Sequence, residues 1–298
     1  MNLSVIVPCY NESEAINVFY DEIKKVLDEE KLTYELIFVD DGSTDNTLSI
    51  LKEFNKKDKN VKIVSFSRNF GKEAAMLAGL QHSKGTYVSI IDADMQQNPK
   101  TLLEMYKKLI DNKDYDVVAA YREKRSNDGA IKTFLTPFFY KIINKISEVK
   151  LLPGASDFRV FKKEVKDAIL SLKESNRFLK GMFSWVGFNT IYVPYEPDER
   201  KYGESKWSLI SLIKYAISGI VSFSTFPLSM VFIISIIMFI LGFLNIIFGL
   251  YKFRSTILFL SLLGLMIGII ALYVARIYKN SLNRPIYIIK EKIGFKSN

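Results

Sequence analysis

From Met1 to about Lys206, apolar and polar positions alternate in two patterns. Short β-rich apolar runs occur at Leu3 to Val7, Leu36 to Val39, Val61 to Phe66, Tyr87 to Ile91 and Asp116 to Ala120. Helix-patterned stretches separate them: Glu14 to Glu30, Asn46 to Asn55, Lys72 to Ser83 and Pro99 to Asn112. Strands alternating with helices predict an α/β fold with a mostly parallel sheet. Ser43, Thr44 or Asp45 is the expected N-cap of the second helix, and Pro99 suits a first helical turn. Further strands are expected at Phe158 to Phe161 and Thr190 to Val193.

The pattern then changes. No charged residue occurs from Tyr215 to Tyr251, and two apolar runs stand out, Leu228 to Tyr251 and Thr256 to Ala275, separated by Lys252 and Arg254. Each has the roughly 20 residues a helix needs to cross a bilayer, so a two-helix transmembrane hairpin is expected. Before it, Ser208, Ser211, Lys214, Ser218 and Ser222 recur at helical spacing between Trp207 and Phe223, which predicts an amphipathic helix lying in the membrane surface. Ile131 to Ile146 is a second such candidate, or a helix packed on the core. The expected division is a catalytic domain over 1–206, the interfacial helix over 207–226, two transmembrane helices over 227–278 and a basic cytoplasmic tail over 279–298.

Charge sets the orientation. The connecting loop carries two basic residues, whereas Arg200, Lys201, Lys206 and Lys214 precede the hairpin and Arg276, Lys279, Arg284, Lys290 and Lys292 follow it. The positive-inside rule then places both ends and the catalytic domain in the cytoplasm. The net charge of +9 is concentrated beside the spans, as attraction to anionic lipid requires, and no nucleic-acid-binding module accompanies it. The first residues lack the basic, apolar form of a signal peptide. A single cysteine, Cys9, excludes an internal disulfide and fits a reducing compartment.

Polar residues gather where the strands end. The first strand leads into Pro8-Cys9-Tyr10-Asn11-Glu12, the second into Asp40-Asp41-Gly42-Ser43-Thr44-Asp45, the third into Ser67-Arg68-Asn69-Phe70-Gly71-Lys72 and the fourth into Asp92-Ala93-Asp94. In a parallel sheet all four lie along one edge, where such folds bind ligands. An Asp-x-Asp can be no more than a solvated turn. Beside a second acidic cluster, Asp92 and Asp94 read instead as a hard oxygen site for Mg²⁺ or Mn²⁺, suited to a nucleotide diphosphate. No glycine-rich phosphate loop is present, so phosphate charge falls to the metal and to Arg68 or Lys72.

These residues carry a resemblance. Val7 to Glu12, Val39 to Asp45, Ser67 to Ala74, Asp92 to Gln96, Asp157-Phe158-Arg159 and Tyr202 to Trp207 are similar to the motifs of family 2 glycosyltransferases of GT-A fold. They most resemble the polyprenyl-phosphate branch, with its dolichol-phosphate mannosyltransferases and bactoprenol glucosyltransferases. The resemblance implies that Pro8, Tyr10, Glu12, Asp40, Asp41, Arg68, Lys72 and Asp92 bind the nucleotide sugar, and that Asp92, Asp94 and Gln96 hold the metal. It implies that Asp157 and Asp94 are catalytic, and that Arg122, Arg200, Ser205 and Lys206 meet the acceptor phosphate; Arg200 and Lys206 can also be read as plain lipid-surface cations.

The implied reaction is inverting transfer of a hexose from a nucleotide sugar to undecaprenyl phosphate. UDP-glucose is the expected donor, with UDP-N-acetylglucosamine or another nucleotide sugar as the alternative. A phosphate monoester has a second pKa of about 6 and is largely dianionic near neutrality, so a strong general base is hardly needed. The single histidine, His82, sits in a helix tail and is then structural or exposed, and Cys9 has no base beside it in any motif. The setting implied is a bacterial plasma membrane, with a separate flippase and a downstream transferase as partners and room for homo-oligomerisation. A processive polysaccharide synthase would carry a Gln-x-x-Arg-Trp motif, which is absent, and a silent scaffold would have lost the acid pair.

Overall fold

The computed structural model describes residues 1–122, 140, 141, 143–147, 149, 150, 152–174, 177–196, 217, 219–248 and 253–295. Alternating elements run β1 (Leu3–Cys9), α1 (Ile16–Glu29), β2 (Tyr34–Asp40), α2 (Thr47–Lys57), β3 (Val61–Phe66), α3 (Lys72–His82), β4 (Tyr87–Ile90) and α4 (Pro99–Asp111). They continue as β5 (Val117–Arg122), β6 (Ala155–Lys162), α5 (Lys163–Ser171), α6 (Leu179–Trp185) and β7 (Thr190–Tyr195). Two long helices, α7 (Phe226–Phe248) and α8 (Phe253–Ser281), precede a last strand, β8 (Ile289–Ile293).

The eight strands form one sheet in the order β7-β5-β6-β4-β1-β2-β3-β8. The pairs β1–β2, β1–β4, β2–β3 and β5–β7 are parallel, while β6 runs antiparallel to β4 and β5 and β8 antiparallel to β3. Order reverses between β1 and β4, the position at which open α/β sheets leave a crevice. All seven residues of β2 are buried, because helices cover both faces of the sheet.

One core packs Phe19, Ile23 and Leu27 of α1 and Leu102, Met105 and Leu109 of α4 against Val5, Leu36, Phe38 and Phe158. The opposite face buries Met76 and Leu80 of α3 with Phe161, Ile169, Met182 and Phe183. The expected caps are partly right: α2 begins after Asn46, with Asp45 Oδ1 accepting the Thr47 N–H at 3.0 Å, and Asn98 caps α4 ahead of Pro99. At the edge away from the crevice, fully buried Glu35 accepts hydrogen bonds from the Ser4 hydroxyl and the Lys84 N–H and pairs with the Lys62 ammonium.

β6 reaches back to Ala155, so Asp157 belongs to a strand. Helices α7 and α8 contain two stretches long and apolar enough to cross a membrane, Phe226–Leu244 and Phe259–Ser281. Most of their described side chains are exposed or half-buried, Phe239 being 76% exposed, while Val231 and Met266 are buried. The chain enters α7 from a short helical turn, 219–223, whose Phe223 ring lies 6.1 Å from that of Phe178. The interfacial helix expected from Trp207 lies outside the described residues up to 216, as does most of the 131–146 candidate.

The segment read from sequence as a basic tail contributes a strand. Ile289-Lys290-Glu291-Lys292-Ile293 alternates with period two and pairs Ile293 with Ile63 and Lys292 with Val64. Tyr287 stacks on Phe66 at 4.7 Å, Lys52 meets Glu291 at 2.7 Å, and Phe295 lies edge-on to His82, which gives that histidine a packing role.

Candidate active site

The strand ends converge as the sequence predicts. β4 delivers Asp92 and Asp94, with Met95 at φ +59° turning the chain back so that Asp94 Oδ1 accepts the Gln96 N–H at 3.1 Å. Continuing the antiparallel register of Ile90 with Arg159 by two residues sets Asp157 opposite Asp92. Lys72, opening α3, bridges them: its ammonium lies 2.6 and 2.7 Å from the two Asp92 oxygens and 3.5 Å from Asp157 Oδ2.

Two partners of this cluster were not singled out from sequence. Buried Gln97 clamps Asp92 in both directions, accepting the Asp92 N–H at 2.9 Å and donating to Oδ2 at 3.1 Å. Glu73, beside Lys72, accepts the Leu179 N–H at 3.0 Å and so joins α3 to α6. Both lie inside or next to the quoted motifs, but a side chain folded back five residues onto Asp92, and one reaching the backbone of a helix 106 residues on, leave no periodic signature.

Charges in the cluster are sorted by their surroundings. Burial by itself would lower the Lys72 ammonium, but Asp92 and Asp157 outweigh it and hold the group above its ordinary value. Burial would raise Asp157, yet Lys180, Lys72 and Arg159 pull it down to about 2, and its Oδ1 is buried with no hydrogen-bond donor among the described residues. Glu73 is pushed up to about 7 by burial and by the Asp157 charge. The cations thus hold Asp157 in its charged form, and that charge together with burial favours the neutral form of Glu73.

The second acidic pair is turned inward. Asp40 accepts the Ser43 N–H at 3.1 Å and the Ser65 hydroxyl at 2.8 Å; Asp41 accepts the N–H groups of Phe70 at 2.6 Å and Gly71 at 2.9 Å. Both are nearly inaccessible, and burial pushes Asp41 up to about 6 against the pull of those two N–H groups. Their observed contacts tie the loops that frame the crevice. Gly42, at φ +67°, closes this turn so tightly that a Cβ would fall 2.3 Å from the Arg68 carbonyl carbon.

Other expected residues take these places. Pro8 lies one residue before the end of β1, in register with Val39, and partly exposed Tyr10 and Glu12 follow the strand, the Glu12 N–H donating to Thr47 Oγ1 at 2.8 Å. Arg68 is exposed, with its guanidinium 4.1 Å above the Phe70 ring. Arg122, expected at the acceptor phosphate, donates to the Tyr195 hydroxyl at 3.1 Å and to Gln96 Oε1 at 3.5 Å, which brings it to the acid pair. Arg200, Ser205 and Lys206 lie outside the described residues.

Among the described residues no three His, Cys, Asp or Glu side chains gather as a metal site. The donors present are the hard oxygens of Asp92 and Asp94 and the Gln96 amide. Both Asp92 oxygens face the Lys72 ammonium and Gln96 Oε1 faces Arg122, so an ion bound here would replace part of those contacts, keep water and take substrate phosphate oxygens for the rest of its shell, as Mg²⁺ does.

The family model described as "Glycosyl transferase family 2" matches residues 4–170 of the chain. The chain is 40% identical over 306 residues to the bactoprenol glucosyl transferase of Shigella phage SfV, covering 98% of this chain and 99% of that protein. It is 36% identical to the uncharacterized glycosyltransferase YkcC of Bacillus subtilis (strain 168), covering 99% and 95%. Glucosyl-3-phosphoglycerate synthase of Mycobacterium tuberculosis, solved in complex with Mn²⁺, uridine diphosphate and phosphoglyceric acid, shares the fold with a TM-score of 0.50 at 20% identity, over 74% of this chain and 76% of that one.

Proposed function

The chain belongs to glycosyl transferase family 2 and is a glycosyltransferase, and from that premise we propose that it transfers a hexose from a nucleotide sugar to the phosphate of a polyprenyl lipid. The observation that carries this reading is the Asp92–Lys72–Asp157 cluster, set at the crevice edge of a chain that also bears two largely exposed apolar helices. A soluble acceptor would leave those helices without a task. The names of the phage relatives point to the same carrier lipid and to glucose.

The donor's diphosphate is placed over Asp92 and Asp94, with Lys72 and Arg122 as the nearest fixed cations. Mg²⁺ or Mn²⁺ held by Asp92, Asp94 and Gln96 would neutralise charge building on the departing nucleotide. The acceptor phosphate attacks the anomeric carbon from the opposite side and inverts it. Lys180, Lys72 and Arg159 hold Asp157 below the usual carboxylate range, which makes it a weaker base, and efficient proton transfer asks for a pKa near the working pH. Asp157 therefore orients the acceptor and the Lys72 ammonium, and the acceptor attacks as the anion it already is.

Both ends of the helical pair attach to the one catalytic domain, Phe223 through Phe178 and β8 through β3, which favours a hairpin returning to its side of entry. The asymmetry of Lys and Arg makes that side the cytoplasm, so a separate flippase would deliver the product to a downstream transferase.

Membranes containing the protein, incubated with undecaprenyl phosphate and a panel of labelled nucleotide sugars, test the reading. Label from UDP-glucose, or from one other nucleotide sugar, should enter the lipid fraction. Label that never leaves the aqueous phase with any donor would overturn it.

A further inference from the structure

A cavity of about 270 Å³ opens beside the site on the sheet face that carries Asp157. Its floor is Ala155 and Arg159, the two residues that flank Asp157 at i±2 and so share its face of β6. Its walls come from α6 and β7, with Phe178, Phe183 and Tyr192, and it holds two further cations, Lys150 and Lys180. No carboxylate lines it among the described residues. Arg159 is 5% exposed and held in place, donating to the Ser156 carbonyl at 2.8 Å with its guanidinium 4.0 Å above the Phe183 ring. Lys180 lies within electrostatic reach of Asp157 and Glu73 as well as lining the cavity.

Three cations among aromatic rings suit one kind of ligand, an anionic head on an apolar stem. The volume equals about nine water-sized groups at roughly 30 Å³ each, enough for a phosphate and the first few carbons behind it and too small for a whole lipid. The direction of the stem is given by the packing of α6. A Cβ on Gly181 would fall 2.4 Å from the Phe223 ring, and Phe223 lies three residues before α7. The cavity wall is thus pressed against the segment that enters the first apolar helix, and Phe178 belongs to both.

We propose that this cavity seats the phosphomonoester of the prenyl acceptor, with Lys180 and Lys150 as the phosphate's partners, Arg159 as a fixed positive floor, and the stem leaving past Phe178 toward the membrane helices. The proposal rests on the polyprenyl-phosphate reading above and moves the acceptor's main contacts away from Arg122, which the structure engages with Gln96 and Tyr195. Lys180 also acts on Asp157, so one ammonium serves both the acceptor's seat and the carboxylate that orients it.

The test is equilibrium binding of farnesyl phosphate to the purified full-length chain in detergent, with inorganic phosphate and farnesol as competitors and uridine diphosphate as a second ligand. Lys180→Ala and Lys150→Ala should each weaken farnesyl phosphate binding about ten- to a hundredfold, the size expected for a charge-assisted contact. Lys180→Arg should recover most of it. Uridine diphosphate should bind all variants as it binds the unaltered protein, which also shows that they fold. The double variant Lys150→Ala/Lys180→Ala binding farnesyl phosphate normally would overturn the cavity and leave the polyprenyl reading standing. Unaltered protein that binds no farnesyl phosphate would overturn both, and inorganic phosphate competing as strongly as farnesyl phosphate would make the site one for free anions.

Discussion

The Lys72 ammonium makes contact with both oxygens of Asp92, at 2.6 and 2.7 Å, so the first carboxylate of the strand-end pair carries its own counter-charge. The acid pair can therefore stand in a partly buried crevice before any ligand arrives. The same ammonium lies 3.5 Å from Asp157 and so ties the two carboxylates together.

Replacing that link should cost turnover more than fold. Lys72→Met removes the charge and keeps most of the volume, leaving Asp92 and Asp157 to repel each other. Transfer of labelled sugar to lipid is expected to fall at least about a hundredfold, the loss of roughly 3 kcal/mol of charge stabilisation, while the protein still extracts as a folded monodisperse species. Activity within a factor of three of the unaltered enzyme would refute the role.

Metal dependence should be complete and should run through Asp94. Chelator is expected to abolish transfer, and Mg²⁺ or Mn²⁺ to restore it. In Asp94→Ala no metal concentration should restore more than about 1% of the rate, since a lost ligand of a bridging ion removes several kcal/mol of charge stabilisation. Full activity of this variant in chelator would end the metal assignment.

Asp157 is held down at about 2, so it stays ionised across any physiological range. Its titration should be absent from a pH–rate profile measured between pH 5 and 9. Asp157→Asn is expected to lower kcat about a hundredfold or more at every pH in that range, with the donor KM little changed. An acid limb near neutrality has three sources, the acceptor phosphate with its second pKa of about 6, Asp41 and Glu73, both raised by burial; only the Glu73 contribution should disappear in Glu73→Gln.

A stability effect is expected far from the crevice. Glu35 is fully buried and Lys62 is its only cationic partner among the ion pairs of the described residues. Lys62→Ala strands a buried carboxylate and should destabilise the domain by about 3–5 kcal/mol, read as a large fall in Tm. Lys62→Ala combined with Glu35→Gln should recover much of that loss, because the uncompensated charge is gone.

The sidedness proposal has a direct probe, because the single native thiol, Cys9, is buried and contributes little background labelling. Ser255→Cys should react with an impermeant maleimide added to intact cells, and Asn298→Cys should react only after lysis. The opposite pattern would place the catalytic domain outside.

Much of this was legible beforehand, and the reason is physical. Buried strands at Leu36 to Val39 and Val61 to Phe66 and amphipathic helices at Glu14 to Glu30 and Pro99 to Asn112 announce themselves by period, and strand-end acids such as Asp92 and Asp94 inherit their position from the sheet. Strand direction does not announce itself: the alternation in β6 reads the same both ways, so the antiparallel return that sets Asp157 opposite Asp92 had to be seen. Nor does a carboxylate's orientation. Sequence puts Asp40 and Asp41 at a strand end but does not show that their oxygens accept from the Ser43, Ser65, Phe70 and Gly71 donors of the loops around them.

The last strand also sets an order of events in synthesis. β3 has β2 on one side only until β8 arrives, and β8 lies beyond both apolar helices in the chain. While the ribosome is still making α7 and α8, Ile63, Val64 and Phe66 form an open sheet edge of the kind that recruits other chains. The catalytic sheet is finished only after the helices that follow it have emerged, so release of the complete enzyme is tied to disposal of its most apolar segments. A chain stopped after Ser281 would have every crevice residue and no protection for that edge.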